Sequence, residues 1–129
     1  MRILLDTNRY TDFCKAVPEA VAPVTAAEQV FLPFVALAEL RGGFQAGTLA
    51  RENERTLARF LASERVSVLY PDETTTQVYA GLFAQLRRQG TPIPTNDIWI
   101  AAGALETGGL LITSDRHLLS MPLIMTKAF

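Results

Sequence analysis

The amino-acid sequence predicts an α/β fold in which a parallel sheet is covered by helices on both faces. Short apolar runs of strand length alternate along the chain with longer segments whose apolar residues recur at helical spacing. This alternation favours parallel strands joined by helical crossovers. A length of 129 residues fits a single domain over residues 1–129, large enough to bury a core.

The first half of the chain contains two predicted strands and the helices that follow them. Arg2–Leu5 is a short apolar run that stops at Asp6, and Thr7 or Asn8 can cap the next helix. The remaining segments of this half are a strand over Gln29–Leu32 that Pro33 ends, a helix over Phe34–Phe44 and a helix over Arg51–Ala62.

The second half continues the same alternation. Asp72 is the expected N-cap of a helix that stops at Gly90. Thr95 is the expected cap of the next helix, which runs to about Glu106 and carries Asp97 in its first turn. The predicted strands of this half are Val66–Leu69, Leu110–Thr113 and a possible fifth strand over Leu123–Met125.

Composition narrows the class of protein. Apolar residues make up 49% and charged residues 19% of the chain, which is ordinary for a globular protein and excludes a disordered or collagen-like one. The apolar runs are too short to cross a membrane, and a charge follows three apolar residues at the N-terminus, which argues against a signal peptide. We therefore expect a cytoplasmic protein.

The single cysteine, Cys14, allows no internal disulfide. Because His117 is the only histidine that could serve as its base, we expect an incidental thiol and not a nucleophile.

Four acidic residues lie beside apolar runs where the predicted structure changes. They are Asp6 at the end of the first strand, Glu39 in the helix after the second strand, Asp97 in the first turn of a helix and Asp115 just after the fourth strand. Ligands gather at the carboxyl ends of parallel strands, so Asp6 and Asp115 would face one crevice if their strands are neighbours. Singly, each carboxylate could be a cap, turn or solvated residue; the set favours a site.

These carboxylates predict a divalent metal site. A buried carboxylate is costly unless a cation or hydrogen-bond donors compensate it, and hard oxygen ligands suit Mg²⁺ or Mn²⁺. We expect Asp6, Asp97 and Asp115 to bind the metal directly or through its waters, and Glu39 to be a ligand or to orient water. The sequence is as compatible with one metal as with two.

Polar neighbours could support these carboxylates. The expected donors are Thr7, Asn8, Thr113 and Ser114. Capping and turn formation explain the same residues equally well, and both roles can hold together.

The formal net charge of the chain is −1, so its surface as a whole does not attract phosphate groups. A nucleic acid or another ligand that contains phosphate would have to bind at a local patch of basic residues. Arg41 and Arg116 are candidates, with surface ion pairing at least as good an explanation. The stripe of Arg51, Arg55 and Arg59 is better explained as a solvated helix face.

Three further residues have a structural explanation that we prefer. His117 is expected to be a surface or turn residue, because a metal mechanism does not require an imidazole. Trp99 and Tyr10 could stack on bases, but packing within the protein or against a partner is the preferred explanation.

Three segments give the sequence a family resemblance: LLDTN at the start, FVALAELRGGF in the middle and NDIWIAAGALETGGLLITSD near the end. The ordered set resembles the PIN-domain ribonucleases, and most closely the VapC-type toxins of toxin–antitoxin modules. The resemblance spans nearly the whole chain. The sequence departs from the family pattern at Arg9-Tyr10 and at Arg116-His117-Leu118, although no carboxylate is lost.

The resemblance implies a three-layer sandwich with a parallel sheet of about five strands. It also implies Mg²⁺- or Mn²⁺-dependent endonucleolytic cleavage of RNA, often structured RNA such as transfer RNA. A homodimer is expected, together with an antitoxin whose C-terminal segment covers the acidic crevice.

The sequence also bears on two other classes of function. A noncatalytic module that binds RNA or a partner protein stays open, although the four intact carboxylates favour the enzyme. A nucleotide hydrolase is not supported, because neither a Gly-rich phosphate loop nor an Asp-x-Asp motif follows the first strand.

Overall fold

The computed structural model describes residues 1–128 and contains one sheet of five parallel strands. The strands are β1 (Arg2–Leu5), β2 (Gln29–Pro33), β3 (Val66–Leu69), β4 (Leu110–Ile112) and β5 (Met125–Lys127). Their order across the sheet is β3-β2-β1-β4-β5. The helices are α1 (Thr7–Cys14), α2 (Pro18–Ala26), α3 (Phe34–Ala46), α4 (Ala50–Leu61), α5 (Glu73–Arg88), α6 (Thr95–Thr107) and α7 (Arg116–Leu119). The predicted fold class is confirmed.

Successive residues of the central strand bury their side chains on opposite faces of the sheet. Leu4 is fully buried in a cluster that contains Leu86 of α5 and Ile98 of α6. Ile3 is fully buried in a second cluster, which contains Val24 of α2. A third cluster lies between α1, α3 and α4. The sheet is therefore the middle layer of a three-layer sandwich.

The pairing of β1 with β4 decides where polar residues meet. Leu5 lies opposite Ile112, so the next residues, Asp6 and Thr113, leave the two strands side by side. The chain continues from β1 to β2 on one side of β1 and reaches β4, on the other side, only after β3. This reversal between β1 and β4 is the kind of switch point at which parallel sheets bind ligands.

Two helices were not predicted from the sequence. In α2, Pro18 occupies the start of the helix, where its missing N–H is no loss, and Pro23 lies inside it. These two prolines are the reason why the sequence did not predict a helix in this segment. The helix α7 has four residues, too few to show a helical period, and is capped by the Asp115 side chain.

Several boundaries also differ from the prediction. The N-cap of α1 is Asp6 and not Thr7 or Asn8, and Pro94 precedes the first turn of α6 in place of Thr95. Asp72 caps α5 as predicted. The last strand begins at Met125, where it pairs with β4, and does not include Leu123 or Ile124. The prediction followed the apolar residues and therefore began this strand two residues too early.

Across residues 1–128, every helix lacks the combination of length and apolar character that a membrane span requires.

We expect Gly109→Ala to destabilise the protein by about 1–3 kcal/mol, because of overpacking. A methyl group at Gly109 would lie 2.5 Å from Leu4 Cδ1 and 3.1 Å from Thr107 Oγ1. Gly42→Ala is the matched control, since α3 leaves open space there. That variant should gain about 0.5–1 kcal/mol from helix propensity. Urea unfolding of both variants is the measurement, and equal stability of Gly109→Ala and wild type would contradict the packing described.

Candidate active site

Four carboxylates from separate elements line one crevice at the switch point. They are Asp6 before α1, Glu39 in α3, Asp97 in α6 and Asp115 before α7. The crevice has a volume of about 160 Å³, and its other lining residues are Thr7, Asn8, Ile100 and Leu118. The structure thus brings together all four acidic residues that the sequence singled out. Their catalytic roles stay predictions.

Both carboxylate oxygens of Asp6 are hydrogen-bonded. Oδ1 accepts the backbone N–H of Arg9 at 2.8 Å, and Oδ2 accepts the Thr113 hydroxyl at 2.6 Å. Oγ1 of Thr113 also accepts the backbone N–H of Asp115 at 3.0 Å. Burial raises the pKa of Asp6, while these hydrogen bonds and the Arg9 charge oppose the rise. One buried threonine therefore fixes two of the four acidic residues.

Arg9, a departure from the family pattern, forms an ion pair in the first helix. Its Nη2 atom lies 2.8 Å from Asp12 Oδ2, and the two side chains are 11% and 22% exposed. Removing Arg9 would leave the Asp12 carboxylate without this cation in poorly solvated surroundings. The pair fixes the orientation of a cation close enough to Asp6 to oppose the rise in its pKa.

His117 lies between two of the carboxylates. Its Nδ1 atom is 3.3 Å from Asp97 Oδ2 and 3.3 Å from Asp115 Oδ1. Asp115 Oδ1 also accepts the backbone N–H of His117 at 2.8 Å. Burial and repulsion from Asp115 raise the pKa of Asp97, and the nearby His117 opposes that rise.

The position of His117 is the main feature that the sequence interpretation missed. A surface or turn residue was expected, and the ring is indeed about half exposed, but it contacts two site residues. The available signal was its spacing from Asp115. An aspartate that caps a helix binds the backbone N–H of the second or third helical residue, which brings that residue close to the carboxylate.

Glu39 is joined to the start of α1 through Thr7. The Thr7 hydroxyl donates to Glu39 Oε1 at 2.9 Å. Of the predicted donors, Thr7 and Thr113 thus contact carboxylates directly, and Asn8 lines the crevice. Ser114 is exposed and is not among the described residues that line it.

The arginine candidates differ in their surroundings. Arg41 Nε lies 2.9 Å from Glu54 Oε1 in an exposed ion pair. Arg116 is exposed and directly follows Asp115. The stripe of Arg51, Arg55 and Arg59 is exposed along α4.

The packing expected for the two aromatic residues is confirmed. Tyr10 is buried, with its ring centroid 5.1 Å from that of Phe60. Trp99 lies 4.3 Å from Tyr79, measured between centroids. Cys14 is an exposed free thiol.

The crevice has the chemistry of a divalent cation site. Ligand atoms of Asp97, Asp115 and His117 lie within 4.8 Å of one another. The raised pKa values of Asp6 and Asp97 show that ionised carboxylates are unfavourable here without a compensating charge. A hard cation would supply that charge to a set of donors consisting mostly of oxygen. The residues present therefore fit a metal ion.

A larger apolar cavity of about 410 Å³ shares His117 with the acidic site. Its walls come from α5, from the loop over 91–93 and from the segment over 120–123. An apolar cavity therefore lies next to the acidic crevice, and His117 is at the point where the two meet.

Comparison with known proteins identifies relatives along nearly the whole chain. The PIN domain model matches residues 3–122. The chain is 34% identical over 117 residues to Ribonuclease VapC1 of Haemophilus influenzae, which covers 88% of this chain and 86% of that protein.

Solved structures share the fold. The VapBC-1 structure from nontypeable Haemophilus influenzae has a TM-score of 0.84 and 29% identity, over 99% of this chain and 98% of that one. VapBC-5 of Mycobacterium tuberculosis, a member of the VapBC family of toxin–antitoxin systems, has a TM-score of 0.69 and 25% identity, over 98% and 96% of the two chains.

We expect Asp97→Asn to stabilise the metal-free protein at pH 7. Because the folded pKa is raised above the ordinary value of 3.8, the ionised group costs stability as pH rises from 3.8 through the folded pKa. An amide removes that cost. The gain in melting temperature over wild type should be present at pH 7 and absent below pH 3.8. Thermal unfolding in EDTA across this range is the measurement.

Asp72→Asn should have the opposite pH dependence. Hydrogen bonds from Thr75 lower the pKa of this exposed N-cap, so its charge stabilises the fold above pH 3.8, and that contribution is lost as pH falls through the folded pKa. The amide variant should therefore lose stability at pH 7 and not in acid. If Asp97→Asn also proved destabilising at pH 7, Asp97 would be a structural residue and repulsion would not dominate the crevice.

Proposed function

The chain belongs to the PIN-domain family and to its VapC-type ribonucleases, and we propose on that basis that it is the toxin of a toxin–antitoxin pair. The proposed activity is metal-dependent endonucleolytic hydrolysis of RNA, with Mg²⁺ or Mn²⁺ as the cofactor. Structured RNA is the proposed substrate class, with transfer RNA as the first candidate. We further propose that the toxin forms a homodimer.

The observation that carries the proposal is the convergence of four carboxylates in one crevice at the switch point. Each of these groups repels the others, and their negative charge would hinder a noncatalytic module that binds RNA. A phosphodiesterase would gain a binding site for the cation that its substrate and its attacking water require. The geometry therefore favours the enzyme over a module that only binds RNA.

Three of the carboxylates are the proposed metal ligands: Asp6, Asp97 and Asp115. A divalent ion, when bound, neutralises phosphate oxygens and lowers the pKa of water. Thr113 holds Asp6 and the backbone of Asp115 through one hydroxyl, so it keeps these two groups in a fixed relation.

Glu39 is the proposed water-orienting residue. It is the one exposed residue among the four acidic ones, and Thr7 fixes its Oε1 atom. In this position the carboxylate can align the attacking water and accept its proton. Arg116 is exposed beside Asp115 and can contact a phosphate, whereas Arg41 would first have to leave Glu54.

We expect Asp97→Asn and Asp115→Asn each to lower RNA cleavage by orders of magnitude, because an amide keeps the shape of the side chain but loses its anionic charge. EDTA should abolish cleavage by the wild type, and Mg²⁺ or Mn²⁺ should restore it. The measurement is the initial rate of cleavage of labelled transfer RNA and of an unstructured RNA.

Glu73→Gln is the matched control, since Glu73 is an exposed acid in the first turn of α5, outside the crevice. It should cleave at the wild-type rate. Full activity in a folded Asp97→Asn protein, or cleavage that EDTA does not affect, would contradict the proposed mechanism.

We also propose that a segment of the antitoxin covers both the acidic crevice and the neighbouring apolar cavity. The two surfaces meet at His117. A segment that carries an arginine beside an apolar side chain would complement both, because its cation would neutralise the carboxylates in place of a metal. Leu123, which is 53% exposed, lines the cavity and could contact the apolar side chain.

Leu123→Asp should weaken binding of the antitoxin encoded by the adjacent gene by about tenfold or more, which corresponds to ~1.4 kcal/mol. Leu49→Asp is the matched control, because Leu49 is 56% exposed at the start of α4, away from the cavity. Calorimetric titration of the purified partners is the measurement. Equal affinity of the two variants would contradict the proposed contact, and the absence of any complex would contradict the toxin assignment.

A further inference from the structure

We propose that His117 is itself a metal ligand, and that its Nδ1 atom joins Asp97 and Asp115 in a mixed nitrogen–oxygen site that favours Mn²⁺ over Mg²⁺. This inference rests on the proposed metal-dependent function and deepens it, because it names a nitrogen ligand and a preferred cation.

The distances between the ligand atoms support the assignment. Nδ1 of His117 lies 3.3 Å from Asp97 Oδ2 and 3.3 Å from Asp115 Oδ1. Two neighbouring ligands of one octahedral ion, each about 2.1 Å from it, lie about 3 Å apart. The three side chains are therefore already spaced as ligands of a common ion, and small side-chain rotations would be enough to complete the site.

The local structure holds the imidazole in this position. The backbone N–H of His117 donates to Asp115 Oδ1 at 2.8 Å, so the same aspartate fixes the start of α7. The next residue, Leu118, is 1% exposed and anchors the short helix in the core. The Ser120 hydroxyl donates to the His117 carbonyl at 2.9 Å. The ring is thus delivered to the carboxylates by an anchored backbone and does not reach them through a mobile loop.

The exposure of the three side chains fits a ligand set better than a structural ion pair. The side chain of Asp97 is 13% exposed, that of Asp115 is 36% exposed and that of His117 is 49% exposed. The site is thus closed on the Asp97 side and open to solvent at the ring. An ion could enter, and water or a phosphate oxygen could complete its coordination.

The preference for a cation follows from ligand chemistry. Mg²⁺ is bound almost entirely by oxygen, whereas imidazole nitrogen also binds first-row transition metals, whose affinities for such ligands rise from Mn²⁺ to Cu²⁺. Replacing one oxygen ligand by imidazole should therefore raise the affinity for Mn²⁺ relative to Mg²⁺.

The first test exploits the fact that the chain contains one histidine. Tag-free protein labelled with ¹⁵N-histidine carries the label in His117 alone. Pulsed electron paramagnetic resonance of Mn²⁺-loaded protein should show ¹⁴N coupling in unlabelled protein and ¹⁵N coupling in labelled protein. Bound Mn²⁺ without any imidazole coupling would overturn the ligand assignment. This test needs no variant, so it does not depend on how a substitution affects folding.

The second test compares affinities by metal titration of the complete chain. His117→Ala should weaken Mn²⁺ binding by about tenfold or more and Mg²⁺ binding by less than about threefold. Glu73→Gln, which alters an exposed acidic residue of α5 outside the crevice, is the control and should leave both affinities unchanged. An unchanged ratio of the two affinities in His117→Ala would overturn the proposal.

The two tests also separate this proposal from the function on which it rests. A wild-type protein that binds Mn²⁺ and cleaves RNA, but shows no imidazole coupling, loses the ligand assignment alone. A wild-type protein that binds neither ion contradicts the metal-dependent function and the ligand assignment together.

Discussion

The parallel pairing of β1 with β4 is the contact on which the candidate site depends. It sets Asp6 beside Thr113, two residues that are 107 positions apart in the chain, and one hydroxyl then binds the Asp6 carboxylate and the backbone of Asp115. Gly109 directly precedes β4, and a side chain at this position would overlap Leu4 of β1. One end of β4 thus packs closely against β1, and the residues that follow its other end carry the polar contacts of the site.

The ionised carboxylates of the site lower the stability of the metal-free fold. Burial and mutual repulsion raise the pKa values of Asp6 and Asp97, so their ionised forms weaken the metal-free protein at neutral pH. Hydrogen bonds from Thr113 and from the backbone of Arg9 offset part of that cost at Asp6, and His117 offsets part of it at Asp97. Burial of the apolar clusters on both faces of the sheet supplies the stabilisation that offsets the rest of this cost.

The sequence was sufficient to predict the layers of the fold and to single out the four carboxylates that line the crevice. Apolar runs of strand length and acidic residues beside apolar runs are patterns that can be recognised locally. The sequence was not sufficient where the outcome depends on neighbours in space. Asp6 caps α1 in place of Thr7, and the same carboxylate also accepts the hydroxyl of Thr113, which directly follows β4. The role of His117 was missed because α7 is too short for its period to be visible, and the contact with Asp97 joins two helices.

The two proposed partners of the acidic crevice differ in whether they need a metal ion to bind there. The formal net charge of the chain is −1, so the repulsion that an RNA phosphate meets at the crevice is not offset by a strongly basic surface. RNA therefore needs a metal ion between its phosphate and the carboxylates. A basic segment of an antitoxin needs none, because it carries its own cation to the same groups. If both proposals hold, metal and antitoxin compete for one set of charges, and by thermodynamic linkage each must weaken the binding of the other. Inhibition of the enzyme would then include loss of its cofactor as well as exclusion of its substrate.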